Sequence, residues 1–438
     1  MGVHARRRTR LGSMPDTGLS GYRVELIRDE AAFAALEPAW RALERCCGAE
    51  FSPLRFEETW RAWVLVGKPL RARPVIVVGR CDGEAVLIWP LMRRGRTLET
   101  LCGTLSGPND ALVAADPRAG AWMTAAWLAV RREAGAGCLL LRCVPEGAAL
   151  NLIGGNDGRF RTRRPTWFIH LRDWGSWEAY ETHLPPRVAA DQRRQWRRVA
   201  ELAGDVRFRR ARTREEAAAM LDTYEVLKQQ WLDARGIATP LYTAAPYRAF
   251  DRANLLALFD SGQLLIGRLG SEEATLSVGY GVVRGERFVF EAFAYAREFA
   301  RLSPSRLVLE QLIRWCFEKR VAVFDLTPGE DAYKRQWADA WGFVSAEAIP
   351  LGAWGRAVTA WHDRGLRRLA QVGWLHAAYR RLPRSLRSVG HGLRLPGIDY
   401  AAGSNGASRL DPAGRLGDKA RGRGPVRLEA QDTALSRR

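Results

Sequence analysis

Apolar positions alternate through YRVELI (Tyr22–Ile27) and then recur every three or four residues through DEAAFAALEPAWRALERCC and FEETWRAWVLVG. The first period is that of a half-buried strand and the second that of amphipathic helices. RPVIVVGRCDGEAVLIWPLMRR follows as two apolar runs around an Asp-Gly turn, which predicts a hairpin. A Gly/Pro/Asn stretch, CGTLSGPNDAL, leads to a helix in AGAWMTAAWLAVRREAG and a strand in CLLLRCV. Strand, helices, hairpin, helix, strand is the order of an α/β layer with mixed strand direction.

The same order then returns. A strand in TWFIHL precedes helices in WEAYETHL, PRVAADQRRQWRRVAELAG, TREEAAAMLDTYEVLKQQWLDARG and AAPYRAFDRANLLALFD, with a short strand VRFRRA among them. Three successive strands, QLLIGRLG, ATLSVGYGVV and RFVFEAFAYA, are joined by the turns SEE and RGE. Helix PSRLVLEQLIRWCFEKR and strand VAVFDL close the unit. The halves share element order and no direct sequence identity.

Length and composition fit this reading. A chain of 438 residues exceeds one ordinary core, and 47% hydrophobic residues with 17 Trp can fill two. The balance of 68 Lys+Arg against 48 Asp+Glu gives a net charge of +20, which attracts nucleic acid, anionic lipid, acidic polymers or a phosphate-rich cofactor without choosing among them. The seven Cys form no C-x-x-C pair and no spaced Cys/His set, so no metal site is expected and the thiols read as reduced and cytoplasmic. The first 20 residues lack the apolar stretch of a secretory signal and read as a disordered leader. No apolar run is long enough to span a bilayer.

The candidate chemistry gathers in the second half. Where strands of a meander splay, an extended pantetheine arm can pair with free backbone groups, and the helix that follows can offer its N-terminal amides to a pyrophosphate. Acyl-coenzyme A has those two parts. Strand Arg287–Ala296 leads through REFARLS to Pro304, with Ser303 placed as N-cap and Pro at the first helical position. Arg297, Arg301 and Arg306 surround that entrance and can meet phosphate, or form a solvated cluster.

With these motifs the segment Gly262–Trp337 resembles the GNAT-fold acetyltransferase domain of the bacterial CelD-like (BcsL) family, associated with cellulose and exopolysaccharide biosynthesis. Tyr295, Ser303-Pro304, Phe324-Asp325, Gly329, Tyr333-Lys334 and Trp337 carry the resemblance, with the basic helix Arg187–Glu201 upstream. Ser305 stands where that family usually has Gly, and its Cβ would restrict a close approach of phosphate. The resemblance implies tandem GNAT-like halves in an α/β fold with a mixed sheet. The expected domains are a leader at 1–20, halves at 21–165 and 166–350, a basic Trp-rich helical extension at 351–395 and a disordered tail at 396–438. It also implies acetyl-coenzyme A, or another acyl-coenzyme A, as donor, with a small-molecule or glycan acceptor.

Individual residues keep more than one reading. Asp325, at the carboxyl end of a buried strand, can act as base, orient a base or cap the Pro328-Gly329 turn. Tyr333 can give a proton to a leaving thiolate, and Lys334 can bind cofactor phosphate or an anionic acceptor. Alternation places Glu291 on one face with Val289 and Phe293, where an apolar layer would raise its pKa and suit it as base unless an Arg pairs with it. His170 can face a cleft between halves as part of an acceptor site, or be structural; His183 is a further base. Arg194, Arg197 and Arg198 can bind an anionic or lipid-linked acceptor, or form a solvated face. Asn109 and Asp110 suggest a turn that can contact an acceptor.

The chemistry this predicts is acyl-coenzyme A dependent transfer to an amine or hydroxyl of a sugar or envelope precursor, with the working pocket in the second half. Two alternatives stand beside it. One is a Fem-type transferase drawing on aminoacyl-tRNA, the only reading in which nucleic acid is a partner. The other is a noncatalytic accessory protein, held at the inner face of an anionic membrane by residues 354–395.

Overall fold

The computed structural model describes residues 21–47, 54–101, 108–133, 135–153, 160–203, 205–237, 240–360 and 426–427. The expected leader, most of the basic extension and nearly all of the tail lie outside them. The amino-terminal half starts with β1 (Tyr22–Ile27), α1 (Glu30–Ala34), α2 (Glu37–Cys46) and α3 (Phe56–Ala62), which runs on into a π-helical turn at Trp63–Gly67. Then come β2 (Arg73–Cys81), β3 (Glu84–Arg94), β4 (Thr97–Thr100), β5 (Leu112–Val113), α4 (Ala119–Glu133) and β6 (Cys138–Pro145). The Asp-Gly hairpin forms as predicted: Cys81 faces Glu84 across the turn, and Asp82 and Gly83 both take the positive φ that such a turn demands.

The second half opens with β7 (Phe160–His170), α5 (Leu171–Trp174), α6 (Trp177–His183), α7 (Pro186–Ala203), β8 (Arg207–Arg210), α8 (Arg214–Ala234), α9 (Pro240–Thr243) and α10 (Ala245–Asp260). The meander β9 (Leu264–Gly270), β10 (Thr275–Arg284) and β11 (Arg287–Tyr295) leads through a 3-10 turn at Arg297–Leu302 into α11 (Pro304–Glu318) and β12 (Val323–Pro328). After it stand α12 (Ala332–Trp337), β13 (Ala340–Pro350), α13 (Ala353–Ala360) and the short β14 (Val426–Arg427).

All strands join one mixed sheet in the order β1-β2-β3-β4-β6-β13-β7-β12-β11-β10-β9-β8, with β5 beside β3 and β14 beside β13. Along this path neighbours are antiparallel except at β4–β6 and β11–β12. Those parallel steps are the ones bridged by α4 and α11, as parallel neighbours require a crossover. The repeat of element order is therefore a repeat of topology. The expected boundary between residues 165 and 166 falls inside β7, which pairs with both β12 and β13. β13, from the end of the second half, lies against β6 of the first.

Helices cover both faces. In the second half α6 and α11 pack Trp177, Leu307 and Ile313 onto Phe288, Phe290 and Phe324, while α8 and α10 pack Leu221, Tyr224 and Leu258 onto Val278, Tyr280 and Ala294. The halves meet where Ala62 and Val66 pack against Tyr247 and Phe250 of α10. α13, the start of the expected extension, docks on the sheet. Trp354 packs beside Gly137, where a Cβ would stand 2.6 Å from its ring, and Arg96 lies over that ring at 6.0 Å. Trp354 is thus part of the fold, whereas Trp361 and Trp374 lie outside the described residues. Among the described residues no helix is long and apolar enough to cross a membrane.

Candidate active site

β11 and β12 pair over three positions, from Arg287↔Val323 to Val289↔Asp325. Beyond them β11 continues to Tyr295 and β12 to Pro328 with no pairing between the two. The strands part, which leaves the β12-side backbone edge of β11 without a strand partner from Phe290 onward among the described residues. At the same level β11 carries a bulge: Gly281 faces Phe290, Tyr280 faces Ala292, and Glu291 is the extra residue. The bulge corrects the expected faces. Phe293 joins Phe290 on the α11 side, their rings stacked at 5.7 Å, and Ala292 turns to the α8–α10 side. Strict alternation would have put Glu291 and Phe293 together; a single inserted residue inverts everything after it.

Glu291 is exposed at the bulge, with protein packed close around it. Loss of solvation raises its pKa to about 7, with Asp251, Asp325 and Glu58 adding to the rise and Arg284 opposing it. Arg284 is itself held by Glu58 of α3, so its charge is shared. Cys143, with φ +50 on β6, also feels Glu291 along with Arg142 and Arg164. The cleft therefore draws on both halves.

Asp325 takes the capping role. Its Oδ1 accepts from the Thr327 backbone N at 2.7 Å and its Oδ2 accepts from Arg287 Nη1 at 3.2 Å, with the side chain buried. This lets Thr327 adopt φ +64, and the following turn is tied to β7 by Gly329 N donating to Pro165 O at 3.0 Å and Trp167 Nε1 donating to Gly329 O at 2.7 Å. Asp325 and Arg287 are thus spent on shaping the end of β12, and Asp325 is not placed as a free base. Lys334 differs from expectation too. It turns inward, and Nζ donates to Pro328 O at 3.1 Å and to Thr327 O and Oγ1 at 3.3 Å. Burial lowers its pKa to about 8. A lysine so enclosed closes the turn from beneath and does not reach for phosphate. Tyr333, one residue earlier, stands edge-on to Phe293 at 6.1 Å, across the parting strands, with a hydroxyl whose pKa burial and Asp331 raise.

At the start of α11, Ser303 sits in the left-handed region with φ +49 and makes no side-chain cap, which corrects its expected N-cap role. Pro304 occupies the first helical position as predicted. Ser305 is 8% exposed, and its Oγ has no hydrogen-bond partner among the described residues. A buried hydroxyl without a partner costs about 1–3 kcal/mol. Arg297 and Arg301 are exposed on the turn before it, and Arg306 is half-buried on the turn after it.

α7 packs beside this entrance. Gln192 Nε2 donates to Arg306 O at 3.3 Å and to Glu310 Oε2 at 3.0 Å, and Trp196 Nε1 donates to Glu310 Oε2 at 2.9 Å. With Arg314 Nε on its other oxygen at 2.9 Å, Glu310 is the hub that binds α7 to α11. Arg194, Arg197 and Arg198 point away from that contact into solvent, Arg194 paired with Asp191 at 2.7 Å.

His170 is not brought to the cleft. It pairs with Val323 at the opposite end of β12, where its ring Nδ1 lies 3.1 Å from Asp339 Oδ1, an acid that also accepts from Trp174 Nε1 at 2.7 Å. The Asp339 hydrogen bond raises the His170 pKa. His183 lies tilted against Trp174 at 4.5 Å in the same cluster. Asn109 donates through Nδ2 to Arg142 O at 2.8 Å, and Asp110 Oδ1 accepts from Ala111 N and Leu150 N, so both order the β5–β6 region. In the first half the matching helix start is already occupied. Asp116 accepts from the Arg118 backbone and guanidinium ahead of α4, and Arg118 covers the Trp122 ring at 5.1 Å.

Sequence reasoning missed Glu58, Asp251, Tyr280 and Arg284. The first belongs to the other half, and the remainder look like ordinary helix or strand residues until the sheet places them. Only the Asp-Arg-Ala motif of α10 and the Arg that ends β10 carried any local signal, and both resemble solvated charges.

Among solved structures, a conserved protein of unknown function from Bacteroides thetaiotaomicron is 10% identical over 75% of this chain and 100% of its own, with a TM-score of 0.46. FemX is 11% identical over 66% of this chain and 89% of its own, with a TM-score of 0.44. A tandem GNAT protein from the clavulanic acid biosynthesis pathway is 12% identical over 75% of this chain and 99% of its own, with a TM-score of 0.43. Similarity at this level fixes neither substrate nor donor. No curated protein matches significantly. Residues 187–335, which hold the parting strands, the bulge and the entrance to α11, match the family model described as acetyltransferase (GNAT) domain.

Proposed function

We propose that the protein transfers an acyl group from acyl-coenzyme A to an amine or hydroxyl, with the donor held in the second half between β11 and β12. The observation that carries this reading is the unpartnered Ser305 Oγ, buried at the first turn of α11 beside the parted strands. Anions are stabilised at a helix N-terminus of this length, and Ser305 Oγ adds a hydroxyl donor there. Arg297, Arg301 and Arg306 supply positive charge around the same entrance. The unpaired edge of β11 offers backbone groups to an extended arm. The expected obstruction by Ser305 becomes, on this reading, a contact.

Acyl-coenzyme A supplies the acyl thioester. The residues of the chain position and move protons around it. Glu291, its pKa raised to about 7, accepts a proton from the acceptor as its nitrogen or oxygen attacks. Tyr333, on the far side of the opening, keeps its proton at neutral pH and gives it to the departing sulfur. Asp325, Arg287 and Lys334 hold the turn that carries Tyr333. The resemblance to the CelD-like family supports a sugar or envelope precursor as acceptor.

Calorimetric titration of acetyl-coenzyme A into the folded protein tests the reading. Saturable binding, with thiol release that requires an acceptor and vanishes in Glu291→Gln, is the expected result. A folded wild-type protein that binds no acetyl-coenzyme A would overturn it.

A further inference from the structure

On the α8–α10 side of the sheet, the side to which the bulge turns Ala292, a cavity of about 370 Å³ opens to solvent between α8 and the α9–α10 pair. Its charge runs against that of the chain. The protein carries a net +20, yet the lining contains the acids Glu225, Asp233 and Asp251 against the bases Lys228 and Arg248. Lys228 is already engaged, its Nζ 4.9 Å above the Trp231 ring and 5.2 Å from the Tyr242 ring.

Asp251 is different. Among the described residues no hydrogen bond or ion pair holds its carboxyl, and burial followed by the neighbouring Glu225 raises its pKa to about 7. Arg252, the next residue, turns to Asp222 and Glu225 instead. The wall beside it carries a second unanswered group. Tyr224 is 2% exposed, and its hydroxyl completes no hydrogen bond, although Tyr242 and Tyr280 approach it. Buried polar groups are normally matched, so the buried Tyr224 hydroxyl, beside the half-buried carboxyl of Asp251 on the same cavity, leaves room for a donor that both can accept from.

Packed side chains connect the cavity wall to the bulge. The Tyr224 ring stands edge-on to Tyr280 at 5.0 Å, Tyr280 faces Ala292, and Ala292 follows the bulged Glu291. Asp251 lies within electrostatic reach of Glu291. Carboxyls this close disfavour each other's charge unless cations come between them. We propose that the cavity is the acceptor site and takes a primary amine that bears a second ammonium group, the ammonium seated on Asp251 and Tyr224 and the amine presented to Glu291. A linear diamine and a diamino sugar share that chemistry. The presented amine arrives as an ammonium and gives one proton to Glu291, which passes it to water. Its nitrogen then bonds the acyl carbon, the carbon–sulfur bond breaks, and sulfur leaves as a thiol with the Tyr333 proton. Tyr333 recovers a proton from the new amide nitrogen through solvent, so the products are amide, thiol and one released proton.

The acceptor role rests on the acetyl-transfer reading, whereas the ammonium seat does not. Putrescine, the diamino sugar neosamine, n-butylamine and succinate are titrated calorimetrically into the wild-type protein and Asp251→Asn without donor, and acetyl-coenzyme A is titrated separately. Binding of putrescine or neosamine, tighter than that of butylamine and weakened roughly tenfold to a hundredfold by Asp251→Asn, is expected, and the tighter of the two identifies the source. Equal binding of butylamine, preferential binding of succinate, or indifference to Asp251→Asn would overturn the proposal. Failure of the dications while acetyl-coenzyme A binds would remove the seat and leave the transferase reading intact. Dication binding without acetyl-coenzyme A binding would overturn that reading and with it the acceptor role.

Discussion

Arg284 of β10 and Glu58 of α3 form a two-pronged ion pair across the halves: Nη2 donates to Oε2 at 2.7 Å and Nη1 donates to Oε1, with 8% and 3% of the side chains exposed. Asn254 of α10 adds a donor to Glu58 Oε2 at 3.3 Å and accepts from Arg61 Nη1 at 2.5 Å. Both members of the pair also act on Glu291, from opposite sides of the charge balance. The contact that joins the halves thus helps set the charge at the bulge.

Breaking that pair from one side takes from a buried charge its two-pronged partner. Glu58→Ala is expected to cost about 3–5 kcal/mol, read as a lower midpoint in urea unfolding. Glu58→Met with Arg284→Met should recover most of the loss, because the cost comes from the buried charge and not from the missing contact. A double variant as unstable as the single one would count against this account.

Glu291→Gln should lower kcat by about 10²–10⁴-fold and leave acetyl-coenzyme A affinity unchanged. In the wild-type protein, acyl transfer should rise with pH through a limb near 7, where the Glu291 carboxyl ionises, and the variant should lack that limb. A profile with the limb intact in the variant would assign the base elsewhere.

The same group makes a stability prediction of definite sign. The Glu291 pKa in the folded protein is raised from the ordinary 4.5 to about 7, so the folded state holds this proton more tightly than the unfolded chain does. Its contribution is full below about pH 4.5 and is lost as pH rises through about 7. Thermal midpoints of Glu291→Gln relative to wild type should therefore climb between mildly acidic and mildly alkaline buffer. A constant difference would show that burial does not perturb this carboxyl.

Ser305→Ala should move stability and binding in opposite directions. Removing a buried hydroxyl without a partner relieves its desolvation and raises stability by up to about 1–3 kcal/mol, while acetyl-coenzyme A binding weakens several-fold. Matched scanning calorimetry and titration would show the two changes; a variant that loses stability would mean the hydroxyl is satisfied within the protein.

Lys334→Met should destabilise by about 1–3 kcal/mol, since the carbonyls of Thr327 and Pro328 lose their donor. Its effect on acetyl-coenzyme A binding should follow the loss of folded protein and no more. A large loss of affinity at full folding would return Lys334 to the phosphate.

Local pattern was enough for much of this molecule. The period of apolar residues marked the β2–β3 hairpin, the β9–β10–β11 meander, Pro304 at the start of α11 and the repeated order of elements, because each depends on neighbours within a few residues. The motif Phe324–Trp337 likewise showed a strand, a turn and a basic segment in the right places. It did not show that Asp325 would be consumed by Thr327 and Arg287, or that Lys334 would point inward, because both depend on where β7 runs. β13 passed unread, and so did its insertion between β6 and β7, since strand partners far apart in the chain leave no local trace. The bulge at Glu291 was invisible for the same reason: only the register against β10 reveals an extra residue. His170 ends its strand at the opposite pole of β12 from the Thr327 turn, a consequence of strand direction that periodicity does not encode. Sequence alone determined many of the strands and helices and their order; tertiary pairing decided the rest, and which of their polar groups are satisfied.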